Sequence, residues 1–164
     1  MRPDTPPSPR RPAASARAWL LAALLLGAFS LASAHAALDT SDPAADAVVD
    51  TPPSQVTLTF SEPLEVAFSL FGVHRLDAQL DMDEEDAAQR LNGLAAPRVK
   101  AWLDSPDEDG SLVPLTVEPA SGASAEVTLV FEEALAPGHY VVVWRVLSAD
   151  THPVEDFFTF TVLD

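Results

Sequence analysis

Two side chains with metal-binding chemistry lie two positions apart near the end of the chain. Asp150 and His152 stand in the segment Ser148–Pro153. In extended backbone, residues i and i+2 project on the same side, so a carboxylate oxygen and an imidazole nitrogen come close together. They suit two ligands of one metal ion, or one ligand and the group that orients it. The same spacing also occurs as a loop aspartate beside a solvent-facing histidine, so it leaves both interpretations open.

His35 adds to this pair because it follows a predicted cleavage site. A free N-terminal histidine offers two nitrogens, its α-amine and its ring Nδ1, which close a chelate ring on one metal ion. A metal displaces the proton of an α-amine near neutrality far more easily than that of a lysine. Nitrogen and oxygen ligands in a tetragonal arrangement suit Cu(II). The alternative is that a signal happens to be cleaved before a histidine.

The first 34 residues have the pattern of an export signal. A basic stretch containing Arg2, Arg10, Arg11 and Arg17 precedes the apolar run 18–29, and small residues at 32 and 34 fit cleavage after Ala34. The run is too short for a membrane-spanning helix. Arg10-Arg11 resembles a twin-arginine signal but lacks the apolar pair expected after it, so we expect ordinary secretion. The prediction is a signal peptide over 1–34 and one exported domain over 35–164.

The composition of residues 35–164 excludes several classes of function. This part has 24 acidic and five basic residues, which argues against nucleic acid or an anionic membrane as a partner. We interpret most of the charge as a solubilising surface and expect a monomer. The chain has no cysteine, and Met82 is the sole methionine of this part, so thiol chemistry and a methionine-rich soft-metal site are excluded.

Short apolar runs separated by Pro, Gly, Ser and Asp predict an all-β sandwich. The segment Tyr140–Val146 is apolar on both faces, which is typical of a central strand. Trp144 and Phe60, Phe131, Phe158 and Phe160 are expected in the core. The predicted strands are 38–42, 55–60, 66–76, 111–117, 126–131, 139–147 and 157–162.

Residues 77–100 interrupt the strand pattern. The segment Asp83–Leu91 has acidic residues first and Arg90 later, as a helix dipole favours, and Asn92-Gly93 would end a helix. We expect a short helix or an acidic loop. The cluster Asp81–Asp86 could hold a hard cation, but it lacks the alternation of a known calcium loop, and a solvated acidic face is the favoured interpretation.

The order of these motifs closely resembles the CopC family of periplasmic copper-binding proteins linked to copper resistance and homeostasis. The resemblance covers nearly all of 35–164, and its most specific block is W-R-V-x-S-x-D-x-H-P. The residues that carry it are His35, Ser41–Ala44, Leu58–Pro63, Pro137–Val154 and Phe158–Phe160.

The resemblance implies a Greek-key, immunoglobulin-like β-sandwich of about seven strands with a Cu(II) site. The family's terminal histidine matches His35 and its D-x-H pair matches Asp150 and His152, while a glutamate near the copper in some members matches Glu62. It also implies a periplasmic location and suggests an inner-membrane copper transporter as a partner. Some members have a methionine-rich Cu(I) site, and this chain departs from them because that region is the acidic insert with Met82 alone.

The predicted function is therefore a Cu(II)-binding protein of copper homeostasis or resistance, not an enzyme. One alternative is an oxidative copper enzyme that uses a terminal-histidine site, but the chain has a single tyrosine and no evident aromatic platform for a sugar. The other is a sandwich module for partner binding with no metal. His74 is expected on a strand face and His139 in an exposed position, neither as a ligand.

Overall fold

The computed structural model describes residues 36–147 and 152–164 and shows two four-stranded sheets packed on each other. The first sheet has the strand order β1-β3-β6-β5 and the second β2-β8-β7-β4. The predicted all-β sandwich is confirmed, with eight strands in the described residues because a two-residue strand adds to the expected seven. Their bounds are β1 Leu38–Asp42, β2 Val48–Val49, β3 Gln55–Glu65, β4 Leu70–Leu76, β5 Leu115–Glu118, β6 Ala123–Phe131, β7 Gly138–Leu147 and β8 Pro153–Val162.

The central strand β7 explains why a run of apolar residues stands without alternation. Tyr140, Val142, Trp144 and Val146 face the core between the sheets, whereas Val141 and Val143 belong to a second apolar cluster on the outer face. Since β7 pairs with β4 on one side and with β8 on the other, it is buried on both faces and along both edges. Trp144 and the four predicted phenylalanines are buried, as expected.

Within the described residues one α-helix, α1 (Ala87–Asp104), covers the outer face of the second sheet. A helix in the insert was expected, but its bounds differ, and the prediction that Asn92-Gly93 would end it is wrong. Leu91, Ala95, Trp102 and Leu103 form its buried stripe, and packing of such a stripe supplies most of a helix's stability. Pro97 is exposed, so its missing N–H affects a carbonyl on the water-facing side.

Salt bridges attach the helix ends to their surroundings. Arg145 on β7 bonds both Asp104 at the end of α1 and Glu155 on β8, at 2.8 Å and 2.6 Å. At the other end, Arg90 pairs with Glu84 and Asp86 of the acidic insert. Among the described residues, no helix is long and apolar enough to cross a membrane.

Candidate metal site and a buried histidine cluster

The topology brings both predicted ligand segments to one end of the sandwich. Ala36, which follows His35 in the sequence, is fully buried in the main core, and the backbone N–H of Ser61 donates to Ala37 O at 2.9 Å. The N-terminal end of β1 therefore lies beside the C-terminal part of β3. His35 itself lies outside the described residues.

The second ligand segment connects β7 to β8. These strands pair antiparallel down to Leu147 and Pro153, so the loop that carries the D-x-H motif lies at the C-terminal end of β7. Asp150 lies outside the described residues, and His152 is exposed and directly precedes β8.

One hydrogen bond shows that the two segments share the same end. A single 3-10 turn over Val66–Phe68 joins β3 to β4, and Ser69 follows it. The Ser69 hydroxyl accepts from the backbone N–H of Leu147 at 3.3 Å and donates to Glu65 O at 3.0 Å. We call the region formed by residues 36–37, 61–69, 147 and 152–153 the Glu62 end.

Glu62 has a position that sets it apart from the other carboxylates. It stands in phase with the buried Phe60 and Leu64 on β3, so it belongs to the inward-facing positions of the strand. Its pairing to β6 is interrupted between Thr59 and Leu64, as at a β-bulge. Its Oε1 is buried and has no hydrogen-bond partner among the described residues. A buried polar atom without a partner is costly, and in a native fold it calls for a ligand or another explanation.

The fit to a metal follows from this orphaned oxygen and from the donors that the sequence adds. The candidate donors are all nitrogen or oxygen atoms. Two belong to the described residues Glu62 and His152. The others belong to the predicted ligands His35 and Asp150, which we assign to this end because they are close in sequence to Ala36 and Leu147. Such a set suits Cu(II). Within residues 36–147 and 152–164, no three His, Asp or Glu side chains are already gathered for a metal ion. The described part therefore holds two of the predicted ligands, Glu62 and His152, and no assembled group of three.

His74 occupies a different environment, beneath α1. It is fully buried, its Nδ1 lies 2.9 Å from Ser111 Oγ, and its ring stacks on Trp102 with centroids 4.5 Å apart and planes 10° apart. Its Nε2 is buried without a partner among the described residues. Burial lowers the pKa of His74 to about 4, although the nearby Asp109 carboxylate opposes the shift. The ring is therefore neutral at neutral pH, and it lies on a strand face as expected.

Asp109 holds this cluster together from the loop after α1. Its carboxylate accepts from Trp102 Nε1 at 2.8 Å and from the Ser111 backbone N–H at 3.0 Å. Hydrogen bonds from the Ser111 side chain and from Trp102 hold the pKa of Asp109 at about 2, so it stays ionised. We call His74, Trp102, Asp109 and Ser111 the His74 cluster. Its sequence signals are the G-x-H-x-L alternation of residues 72–76 and the tryptophan just after the insert, but the cluster is not among the features predicted from the sequence.

The prediction that His139 is exposed is wrong. His139 is only 7% exposed, and its Nδ1 lies 2.9 Å from Thr161 Oγ1. It faces the same side of the second sheet as Val141 and pairs between Leu76 and Thr161, where burial lowers its pKa. The strand position, and not the preceding Gly138, decides its burial. It borders a groove that Met82 also lines, at the opposite end of the sandwich from Glu62.

The Asp81–Asp86 cluster behaves as the solvated acidic face that we favoured. Its residues are exposed, Asp81 Oδ1 accepts from the Asp83 backbone N–H at 3.0 Å, and Glu84 and Asp86 pair with Arg90. The carboxylates of Asp81, Glu84 and Asp86 therefore bond to groups within the insert.

Comparisons with known proteins agree with this architecture. Copper resistance protein C of Escherichia coli is 33% identical over 147 residues, which cover 89% of this chain and 95% of the relative. Protein YobA of E. coli strain K12 is 30% identical over 132 residues, or 79% of each chain.

Two crystal structures are similar to the model. PcoC, described as a methionine-rich copper resistance protein from E. coli, matches with a TM-score of 0.53 and 28% identity over 79% of this chain and 99% of PcoC. CopC from Methylosinus trichosporium OB3b matches with a TM-score of 0.51 and 27% identity over 79% of this chain and 94% of the other. A family model of the CopC domain matches residues 38–111 and 98–163. The chain belongs to the CopC family.

Proposed function

We propose that this protein is an exported Cu(II)-binding protein of copper homeostasis or resistance, which sequesters copper or delivers it outside the cytoplasm. The observation that carries the proposal is the buried Oε1 of Glu62, which has no hydrogen-bond partner among residues 36–147 and 152–164. It lies at the same end of the sandwich as the segments next to His35 and Asp150. Two of the relatives, copper resistance protein C and PcoC, are copper resistance proteins by name, which supports copper as the cargo.

The proposed ligands are the α-amine and Nδ1 of His35 together with Asp150 and His152. Glu62 would act beside the metal, as a further oxygen ligand or as the acceptor for a ligand's proton. Three nitrogens and a carboxylate oxygen satisfy the tetragonal preference of Cu(II). Binding requires deprotonated ligands, so copper affinity would fall as the pH drops.

The oxidation state follows from which donors the chain offers. PcoC is described as methionine rich, whereas this chain has no cysteine and only Met82 beyond its first residue. Met82 borders the groove at the end opposite Glu62, so its thioether does not belong to the proposed set. Imidazole, amine and carboxylate favour Cu(II) over Cu(I), which prefers soft sulfur ligands.

The proposed location depends on export. We propose that residues 1–34 are removed and that the protein acts in the periplasm as a binding protein, with no catalytic turnover of its own. Cleavage after Ala34 would then create the ligand, because the nitrogen of His35 is tied up in a peptide bond until the preceding residue is removed.

The decisive experiment is a Cu(II) titration of two proteins, one beginning at His35 and one with a single glycine before His35. The extension turns the α-amine into an amide and moves the new amine away, so we expect at least about a 100-fold loss of affinity. A glycine added after Asp164 is the matched control and should leave the affinity unchanged. Equal affinities for the first two proteins would overturn the proposed site. Electron paramagnetic resonance should show fewer nitrogen ligands in the extended protein.

A further inference from the structure

A large aromatic side chain is exposed beside the Glu62 end. Phe68, the last residue of the 3-10 turn, is 75% exposed, and Leu70 two positions later is 45% exposed. Ala67, directly before Phe68, is also exposed, whereas Phe71 packs against the main core. Exposed apolar residues scattered singly need no explanation, but several adjoining ones on a soluble protein often mark a contact surface.

The turn that carries Phe68 is firmly attached. Val66 is buried in the main core, and its backbone N–H donates to Gly122 O at 3.0 Å. Ser69 closes the turn through its N–H to Val66 O at 3.1 Å and connects it to Leu147 through its hydroxyl. Since both sides of Phe68 are fixed to the sandwich, the ring cannot fold into the core without breaking these bonds. Its exposure is a built feature of the turn, which we call the Phe68 turn (residues 66–70).

The charges around the Phe68 turn are acidic. The exposed carboxylate of Glu65 immediately precedes it on β3. Arg145, which pairs with Leu70, is engaged by Asp104 and Glu155. The other basic residues among those described lie elsewhere, with Arg90, Arg98 and Lys100 on α1 and Arg75 donating to Pro137 O near the opposite end.

We propose that the Phe68 turn is the docking surface through which this protein exchanges copper, and that its partner is a protein with an apolar cleft ringed by lysine and arginine side chains. The inference rests on the proposed copper function, because Leu147, which the turn bonds, directly precedes the loop of Asp150. An exposed aromatic anchor inside a charged rim is a common interface arrangement, in which the ring supplies affinity and the rim supplies steering.

Charge complementarity favours a cationic protein at the Phe68 turn over a second copy of this chain and over an anionic lipid surface. A second copy of the chain would bring its own Glu65 against the same residue, and like charges across an interface are repulsive. An anionic lipid surface is repelled in the same way. A cationic partner would gain affinity from contact with the Phe68 ring and faster association from attraction to the acidic residues around it.

The test uses a photo-crosslinking phenylalanine analogue in place of Phe68 in the full chain, expressed with its own leader in copper-supplied cells. The same analogue in place of Leu94, which is 48% exposed on α1, is the matched control. We expect position 68, but not position 94, to crosslink to a different protein through a segment rich in Lys or Arg. The adduct should fall at least about five-fold in the additional variant Glu65→Lys, because the rim steers association.

Three results would overturn the docking surface: an adduct with a second copy, an adduct with lipid alone, or no more adduct than at position 94. A Cu(II) titration of Phe68→Ser separates this failure from that of the proposed function. If Phe68→Ser binds Cu(II) with unchanged affinity and position 68 gives no crosslinked adduct, the docking surface is overturned and the copper site stands. If position 68 gives the adduct but the glycine extension leaves Cu(II) affinity unchanged, the docking surface stands and the proposed copper site is overturned.

Discussion

The Glu62 end and the His74 cluster contain similar chemical groups in opposite circumstances. In the His74 cluster, beneath α1, the imidazole stacks on Trp102, its Nδ1 is engaged by Ser111, and its Nε2 is enclosed by protein. At the Glu62 end the described histidine, His152, is exposed, and the carboxylate that lies inward has an oxygen without a described partner.

The comparison teaches that the surroundings of an imidazole decide its role. His74 and His139 both point their Nδ1 at a hydroxyl oxygen and lie on the face of the second sheet next to α1 and the insert. Burial lowers the pKa of both, so they are neutral, structural groups at neutral pH. A metal ion could reach His74 only if α1 moved away. His152, which directly precedes β8, is exposed and has no such cover.

Trp102→Ala gives the largest expected effect and tests the structural half of the comparison. The substitution removes a buried indole, its stacking on His74 and its hydrogen bond to Asp109. We expect the free energy of unfolding to fall by about 3–5 kcal/mol, measured by urea denaturation. Copper affinity of the folded variant should be unchanged, because the indole packs in the second apolar cluster beneath α1, whereas Ala36, Leu64 and Val66 of the Glu62 end pack in the main core. A large loss of copper affinity in the folded variant would contradict the separation of the two regions.

His152→Ala tests the other half and should have the reverse effect. We expect Cu(II) affinity to fall about 100-fold, equivalent to about 2.7 kcal/mol, with little change in the urea midpoint of the metal-free protein. His139→Gln is the matched control, because it removes an imidazole from the opposite end. If His139→Gln weakens copper binding as much as His152→Ala, the two regions are not functionally distinct.

The difference between the two regions also explains what the sequence could and could not predict. The period-two pattern of β3 and the doubly apolar β7 predict the sandwich, because strand side chains alternate across a sheet. The length of α1 could not be predicted, since Gly93 and Pro97 are local stop signals that only packing of Leu91 and Trp102 on the second sheet overrides.

The candidate site could be predicted only in part for a similar reason. The D-x-H spacing and the terminal histidine are local signals. The alternation along β3 predicts that Glu62 faces inward. The absence of a described hydrogen-bond partner for its Oε1 could not be predicted, because it depends on the interrupted pairing with β6, which is a tertiary feature. His139 follows a glycine at a strand start, where local sequence suggests exposure, and its burial depends on how β7 pairs between β4 and β8.

The pH dependence of stability sharpens the comparison further. Burial lowers the pKa of His74 from its ordinary 6.5 to about 4, so between these values the unfolded chain binds a proton that the folded chain does not. The stability from this group is therefore full above pH 6.5 and is lost as the pH falls to about 4, by on the order of 3 kcal/mol.

Urea midpoints measured across this pH range check the effect, and His74→Gln should flatten most of the slope. The slope that His139 contributes in the same direction should persist in that variant. A His74→Gln protein with an undiminished slope would show that His74 is already protonated or accessible in the folded state, contrary to its enclosure beneath α1.

Glu62→Gln has the smallest expected effect and the most specific sign. In the metal-free protein the substitution removes a charge whose Oε1 is buried without a described partner, so we expect the free energy of unfolding to rise by about 1 kcal/mol. With Cu(II) bound we expect the native chain to be more stable than the variant, because the native carboxylate then lies near a cation. The variant should therefore gain less stability from the metal than the native chain. Glu65→Gln, which neutralises an exposed carboxylate on the same strand, is the control and should change neither quantity measurably. Thermal melts of both variants with and without Cu(II) decide the matter. A Glu62→Gln protein that is destabilised without metal, or stabilised by copper as much as the native chain, would show that this carboxylate has a structural partner and no part in the metal site.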